Sequence, residues 1–252
     1  MCNFGGILQY FFDTVETIPE GVGFSHFSPF HIFWLLFFVL FCFGSCFLYR
    51  RLNDKNKRTL ELVFVGLLAL DELIKLGGLL AFGNFLPKYL PLHLCSINLI
   101  LIIINAIRKS ETIENFLYAI CIPTAIIALL FPTWTPLPLA NFMHLHSSSV
   151  HILLATYPIM LTLGGTIKPK TRMIPKTLLL LLMLGAIALV FNLIFSTNFM
   201  FLMYAEPGNP LYIFKTLFGS HLVGLPILAV LVLTIMYLPV FLLERRQNKN
   251  KE

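Results

Sequence analysis

The chain has 252 residues, of which 58% are hydrophobic and 12% charged, with a mean hydropathy of +0.84 and a formal net charge of +6. A soluble domain carries about 25% charged residues, so this composition cannot cover a water-facing surface and excludes an ordinary soluble protein. The basic residues fall in short clusters between apolar runs with no basic-aromatic patch, which excludes nucleic acid as the partner behind the charge.

A bilayer core of about 30 Å takes about 20 helical residues, so the expected fold is all-α and polytopic, with about seven transmembrane helices. The apolar runs are continuous rather than alternating, which argues against a membrane β-barrel. Residues 1–28 contain Asp13, Glu16 and Glu20 but no Lys or Arg. They read as an extracytoplasmic segment without the basic start of a signal peptide. Apolar spans follow at about 30–49, 59–82, 92–107, 115–131, 146–166, 177–197 and 221–243. Residues 29–243 thus form one seven-helix domain, and 244–252 a basic cytoplasmic tail. Placing Arg50, Arg51, Lys55, Lys57 and Arg58 inside puts the N-terminus outside, and fifteen of the eighteen Lys and Arg then lie on the cytoplasmic side. That asymmetry is what the positive-inside rule requires. All seven histidines fall in the outer half or beyond it. The five cysteines (2, 42, 46, 95 and 121) form no paired framework and are expected to be free thiols.

Each basic cluster marks the inner end of a helix that rises 1.5 Å per residue, which gives a ruler for depth. Glu72 and Asp71 come out about 20 Å above Arg58, Cys95 about 20 Å above Arg108, and His151 about 25 Å above Lys168. Lys75 and Asn192 lie near 25 Å. Spans two, three, five and six therefore offer polar or reactive groups in one layer, where ionisable side chains normally face a bundle interior or a cavity.

A membrane cysteine is usually a small apolar filler, and Cys42, Cys46 and Cys121 fit that reading. Cys95 differs because it follows Leu92-His93-Leu94 near an expected helix start at Pro91, and a helix N-terminus and an imidazole both favour thiolate. His93 is two residues away, about 200° around a helix, and should face elsewhere as an interfacial hydrogen-bonding group. His151 alone reads as an interhelical hydrogen bond; at the depth of Cys95 it is the better base for a Cys–His pair. Lys75 stands three and four residues from Glu72 and Asp71 and should neutralise one of them, leaving the other to orient a histidine. Asn98, three residues after Cys95, either holds an oxyanion or bridges helices. His144 and His146 space two metal ligands poorly on one helix face, so no metal and no cofactor is expected.

The run Leu90-Pro91-Leu92-His93-Leu94-Cys95, with His151 opening the apolar part of a later span and Asn198-Phe199-Met200-Phe201-Leu202 followed by Pro207, resembles the bacterial YwaF-type integral membrane proteins. These go with the eukaryotic transmembrane acyltransferase that places polyunsaturated acyl chains on lyso ether phospholipids. The resemblance implies a seven-helix fold in a bacterial plasma membrane, a cysteine nucleophile at Cys95 and a histidine partner at His151. Where Phe199 stands, relatives are expected to carry Tyr.

The leading reading is a cysteine-dependent acyltransferase or transacylase whose partner is a membrane phospholipid or lysophospholipid. Cys95 would attack an acyl ester, His151 would move the proton, Asn98 or Asn192 would stabilise the oxyanion, and Glu72 would orient the histidine, with His93 and Asn198 in supporting positions. The runner-up is a transporter or channel with a polar path lined by Asp71, Glu72, Lys75 and the outer histidines. A receptor-like or structural role has only the span count behind it.

Overall fold

The computed structural model describes residues 10–205 and 209–249. Cys2, Pro207 and the end of the basic tail lie outside the described residues. Among these residues the chain is all-helical and contains no strand. The helices are α1 (Pro29–Arg51), α2 (Asp54–Ala81), α3 (Leu94–Ile107), α4 (Glu111–Leu130), α5 (Phe142–Leu163), α6 (Ile174–Phe195), the short α7 (Tyr212–Phe218) and α8 (Gly224–Lys249).

Their ends follow from local chemistry. Ser28 accepts from the His31 amide with Pro29 in the first turn, and Asn53 caps α2 by accepting from the Asn56 amide. Asn141 accepts from the Met143 and His144 amides, while its Nδ2 donates to the carbonyls of Tyr10 and Asp13. One side chain thus starts α5 and ties down the N-terminal segment. Within α4 the residues Leu117–Cys121 make a π turn just before Pro123. Proline has no N–H to continue the ladder and its ring crowds the preceding turn, so the helix widens there.

Two elements differ from expectation. Helix α3 starts at Leu94 rather than 92, because Leu90 and His93 have extended ψ angles of 146° and 151° behind two prolines. The mixed loop before α8 contains α7, a seven-residue piece too short for a span.

Helix α5 is the hub. It packs against α1, α2 and α4 and also meets α3, with most of its residues buried. By contrast α1, α6 and α8 bury only 11% of their most apolar stretches, and their outer faces expose side chains such as Phe43, Leu182 and Val230. Apolar faces of that extent are not tolerated in water. Four helices (α1, α4, α6 preceded by its first turn, and α8) are long and apolar enough to cross a membrane, and α3 is a shorter apolar helix. Helices α2 and α5 are equally long but carry the polar residues described next.

At the end carrying the basic clusters, the buried acid is well paired, although Asn105 Nδ2 and Tyr157 Oη nearby have no hydrogen-bond partner. Glu61, 4% exposed, accepts from Tyr49 Oη at 2.7 Å, Arg58 at 3.2 Å and Lys109 at 3.3 Å. Tyr49 Oη also lies 2.7 Å from Thr166 Oγ1. The tyrosine ring gets this close because position 164 is glycine: a Cβ there would fall 2.4 Å from it. Beside this hub, Asn115 Oδ1 accepts from the Lys170 amide and Tyr237 Oη, and Glu111 pairs with Lys170 and Arg172.

Candidate functional site

Cys95 sits in the first turn of α3, nearer the helix N-terminus than the sequence reading placed it. Lys75 and Glu72 of α2 are close enough for their charges to act on its sulfur, and Cys121 of the π turn lies within the same range. Lys75 Nζ is 2.5 Å from Glu72 Oε1, and both residues are buried. A buried pair on consecutive turns is the arrangement that an acid and a lysine three residues apart produce.

His93 is the N-cap residue of α3, with extended backbone. The 200° helical offset from Cys95 therefore does not apply, since His93 is not in the helix. Its ring stands edge-on against Phe199, centroids 5.1 Å apart, and feels the charges of Lys75 and His151. The structure thus brings both histidines to the same end of the cysteine helix.

His151 Nδ1 is 2.6 Å from the Ser147 carbonyl oxygen. A carbonyl only accepts, so Nδ1 carries the proton, and in the neutral ring Nε2 is left as the basic nitrogen. The indole of Trp134, from the Pro-rich loop before α5, stacks over this ring at 5.3 Å and 19°. Among the described residues Cys95 makes no hydrogen bond to either imidazole. Asn98, one turn below Cys95, is 1% exposed, and neither its Oδ1 nor its Nδ2 has a hydrogen-bond partner. An unpaired buried amide costs about 1–3 kcal/mol, so native chains seldom keep one without a use for it.

The other two asparagines are committed elsewhere. Asn192 Oδ1 accepts from the Phe199 amide at 2.7 Å and Thr197 Oγ1 at 2.9 Å, while its Nδ2 donates to the Phe199 carbonyl at 3.0 Å. It pins the turn after α6, where Ser196, Met200 and Phe201 all have positive φ, and so holds Phe199 against His93. Asn198 likewise closes the next turn, accepting from the Met203 and Tyr204 amides and donating to the Tyr204 carbonyl. Phe199, fully buried, offers only a ring face at the place where the resemblance led one to expect Tyr.

One acid does hold a histidine, but through different partners from those expected. Asp71 Oδ2 is 2.7 Å from His146 Nδ1, and Asp71 Oδ1 accepts from Ser149 Oγ at 3.0 Å. At that distance Asp71 Oδ2 and His146 Nδ1 are each other's partner. Glu72 Oε2 lies 4.0 Å from His146 Nε2 and so stands between the lysine and this histidine. Sequence reasoning weighed His146 as a metal ligand and as one of the outer histidines of a polar path, but not as the partner of Asp71. The available signal was charge balance, since Lys75 can neutralise only one of two adjacent acids.

The model of the TMEM164 family matches residues 26–242. No curated protein and no solved structure matches the chain.

Proposed function

The chain belongs to the TMEM164 family of transmembrane proteins, and from that premise we propose that it is a membrane-embedded, cysteine-dependent acyltransferase or transacylase acting on phospholipids or lysophospholipids. The observation that carries this reading is the gathering of Cys95, His93, His151 and the Glu72–Lys75 pair around the first turn of α3, with the unpartnered Asn98 one turn below. Seven spans, with the N-terminus outside and the basic clusters inside, put this gathering in the outer half of the bilayer. The Leu90–Cys95 motif favours the bacterial branch and hence the bacterial plasma membrane.

The chemistry follows from the groups present. Lys75 and the free amides of the first helical turn favour the Cys95 thiolate. His151 Nε2 takes the Cys95 thiol proton as the sulfur attacks the acyl ester carbonyl, and gives that proton to the lysolipid oxygen that departs as the thioester forms. The acceptor hydroxyl then gives its proton to His151 Nε2 as it attacks the thioester, and His151 returns that proton to the departing sulfur, restoring the thiol. Asn98 Nδ2 is the donor for the oxyanion formed in each half. Cys95 and His151 are not hydrogen bonded here, and catalytic hydrogen bonds commonly tighten only with substrate in place. Asn192 acts at one remove, positioning His93 through Phe199.

The test is acyl exchange by the purified chain in lipid nanodiscs, with trapping of a thiol-reactive lipid analogue. Loss of exchange and of the adduct in Cys95→Ala is expected; full exchange in that variant would sink the mechanism. The linked contacts from Asp71 through His146 and Glu72 to Lys75 support a second reading, a proton-coupled transporter. A substrate-dependent proton flux lost in Glu72→Gln and intact in Cys95→Ala would favour it.

A further inference from the structure

The chain before α1, residues 10–28, crosses the histidine end of the bundle and is tied there to three other elements. Its Phe12 carbonyl accepts from Asn84 Nδ2 at 3.0 Å, and Glu16 meets Lys88 and Tyr89 Oη, all in the connection between α2 and α3. Its Phe11 carbonyl accepts from the Phe142 amide at 2.8 Å, beside the Asn141 bonds that start α5. The third anchor is the Pro-rich loop, where the Thr135 carbonyl oxygen accepts from the Phe24 amide at 2.9 Å. The two backbones come this close because position 23 is glycine. A Cβ there would fall 2.6 Å from the Pro136 carbonyl carbon and nearer still to the Thr135 oxygen.

The same loop is held at its root. His31 Nδ1 is 2.9 Å from the Phe27 amide nitrogen, which only donates, so Nδ1 accepts; Nε2 carries the ring proton and gives it to the Leu129 carbonyl at 2.7 Å. One buried imidazole thus joins the end of the N-terminal segment to the end of α4, from which the loop departs. Between root and crown lies Trp134, half-buried, whose indole covers one face of the His151 ring. That ring is left 7% exposed. Among the described residues no hydrogen bond holds the Trp134 indole, so the loop backbone sets its place.

We propose that residues 10–28 and the Pro-rich loop form one lid, latched at Gly23 and Phe24, which keeps water from His151 and so commits the acyl group to a lipid hydroxyl. The chemical half rests on the acyl-transfer reading; the lid itself does not. With the lid lifted, water adds to the Cys95 thioester carbonyl and gives a proton to His151 Nε2. His151 passes that proton to the departing sulfur, which restores the thiol and frees a fatty acid. Transfer and hydrolysis use the same groups, and a closed lid selects between them by excluding water from the intermediate.

The lid is tested in the full-length chain in nanodiscs by the rate at which diethyl pyrocarbonate modifies His151 at fixed pH, read by mass spectrometry. His221, buried just before α8 with Nε2 3.1 Å from the Phe201 carbonyl, is the internal reference. Trp134→Ala removes the cover and sets the open rate. Gly23→Ala wedges the latch and leaves Trp134 in place. His151 labelling should then rise about tenfold, the scale of one or two lost hydrogen bonds, with His221 unchanged. In the same variant the share of acyl groups leaving as free fatty acid should rise by a similar factor against acyl exchange. Labelling of His151 at the parent rate in Gly23→Ala would show that the segment latches nothing, and in Trp134→Ala that the indole is no cover. A parallel rise at His221 would show a general clamp rather than a lid. Faster His151 labelling with an unchanged fatty-acid share would leave a lid that does not choose the acceptor. Any of these overturns the proposal. If no form of the chain moves acyl groups, the acyl-transfer reading has failed, and labelling alone decides the lid.

Discussion

The two ends of this molecule treat a buried glutamate in opposite ways. At the basic end, Glu61 is met by a tyrosine, an arginine and a lysine, and the nearby Asn115 has every amide atom engaged. At the histidine end, Glu72 has one lysine and a histidine at 4.0 Å, and Asn98 has nothing. Burying a polar group without a partner opposes folding, whereas a saturated network fixes geometry. The first end therefore reads as a clasp that holds helices together, and the second as a place kept chemically open. Burial and residue type are alike at the two ends. What differs is how fully the protein satisfies the glutamate and the asparagine at each end, Asn105 Nδ2 and Tyr157 Oη being left unpaired at the basic end as well.

The comparison can be broken in several ways, taken here from the largest effect down. Cys95→Ala should lower acyl exchange by at least about 10³-fold, the scale on which a lost nucleophile is felt, or about 4 kcal/mol. Its thermal unfolding midpoint should stay near that of the parent, because the side chain is small and half-buried. Glu61→Gln should do the reverse. Stripping the charge from a buried partner of two cations costs about 3 kcal/mol, discounted for the half-exposed arginine and lysine, and would appear as a lowered unfolding midpoint with unchanged turnover per folded molecule. A midpoint that did not move would mean the clasp is ornamental.

The two asparagines give a matched pair. Asn115→Leu strands the Lys170 amide and leaves Tyr237 Oη only its 3.4 Å contact with Thr177 Oγ1, and should destabilise by about 1–3 kcal/mol. Asn98→Leu removes an amide that already lacks partners, so it should be neutral or mildly stabilising while slowing exchange by about 10²-fold. Equal destabilisation in both would erase the distinction between the ends. The smallest effect is expected for Trp134→Leu, which keeps an apolar cover over His151 but loses ring stacking worth about 1 kcal/mol. It should show as a modest change in the His151 imidazole NMR shifts.

Most of the helical layout was legible because continuous apolar runs bounded by basic clusters leave little choice in a bilayer. Where the reading went astray, the cause is local. Pro91 suggested the start of α3, yet Leu92 still precedes the helix and His93 caps it, so an angular argument built on a helical His93 failed. The asparagine roles were unreadable because they depend on the chain doubling back after α6 through positive-φ residues at 196, 200 and 201, none of them glycine. The charge count rightly implied that one acid would hold a histidine. Which acid and which histidine depended on the rotation of α2 against α5, which periodicity does not fix when both helices are polar on more than one face.

The same pairing bears on how the chain enters a membrane. Glu72 and Lys75 neutralise each other within α2, so in the proposed seven-span topology that helix would leave the translocon with those two charges already matched. Asp71 cannot: its partners, His146 and Ser149, come from α5, with 78 residues separating Asp71 from the serine. A lone carboxylate at the centre of a span costs about 2.5–3.5 kcal/mol on insertion scales. In the proposed seven-span topology, α2 would emerge during synthesis as the least comfortable helix and gain its match only when α5 arrives. Substitutions at His146 should accordingly be felt first as a defect of biogenesis, in the yield of inserted protein, before any assay of the finished molecule is begun.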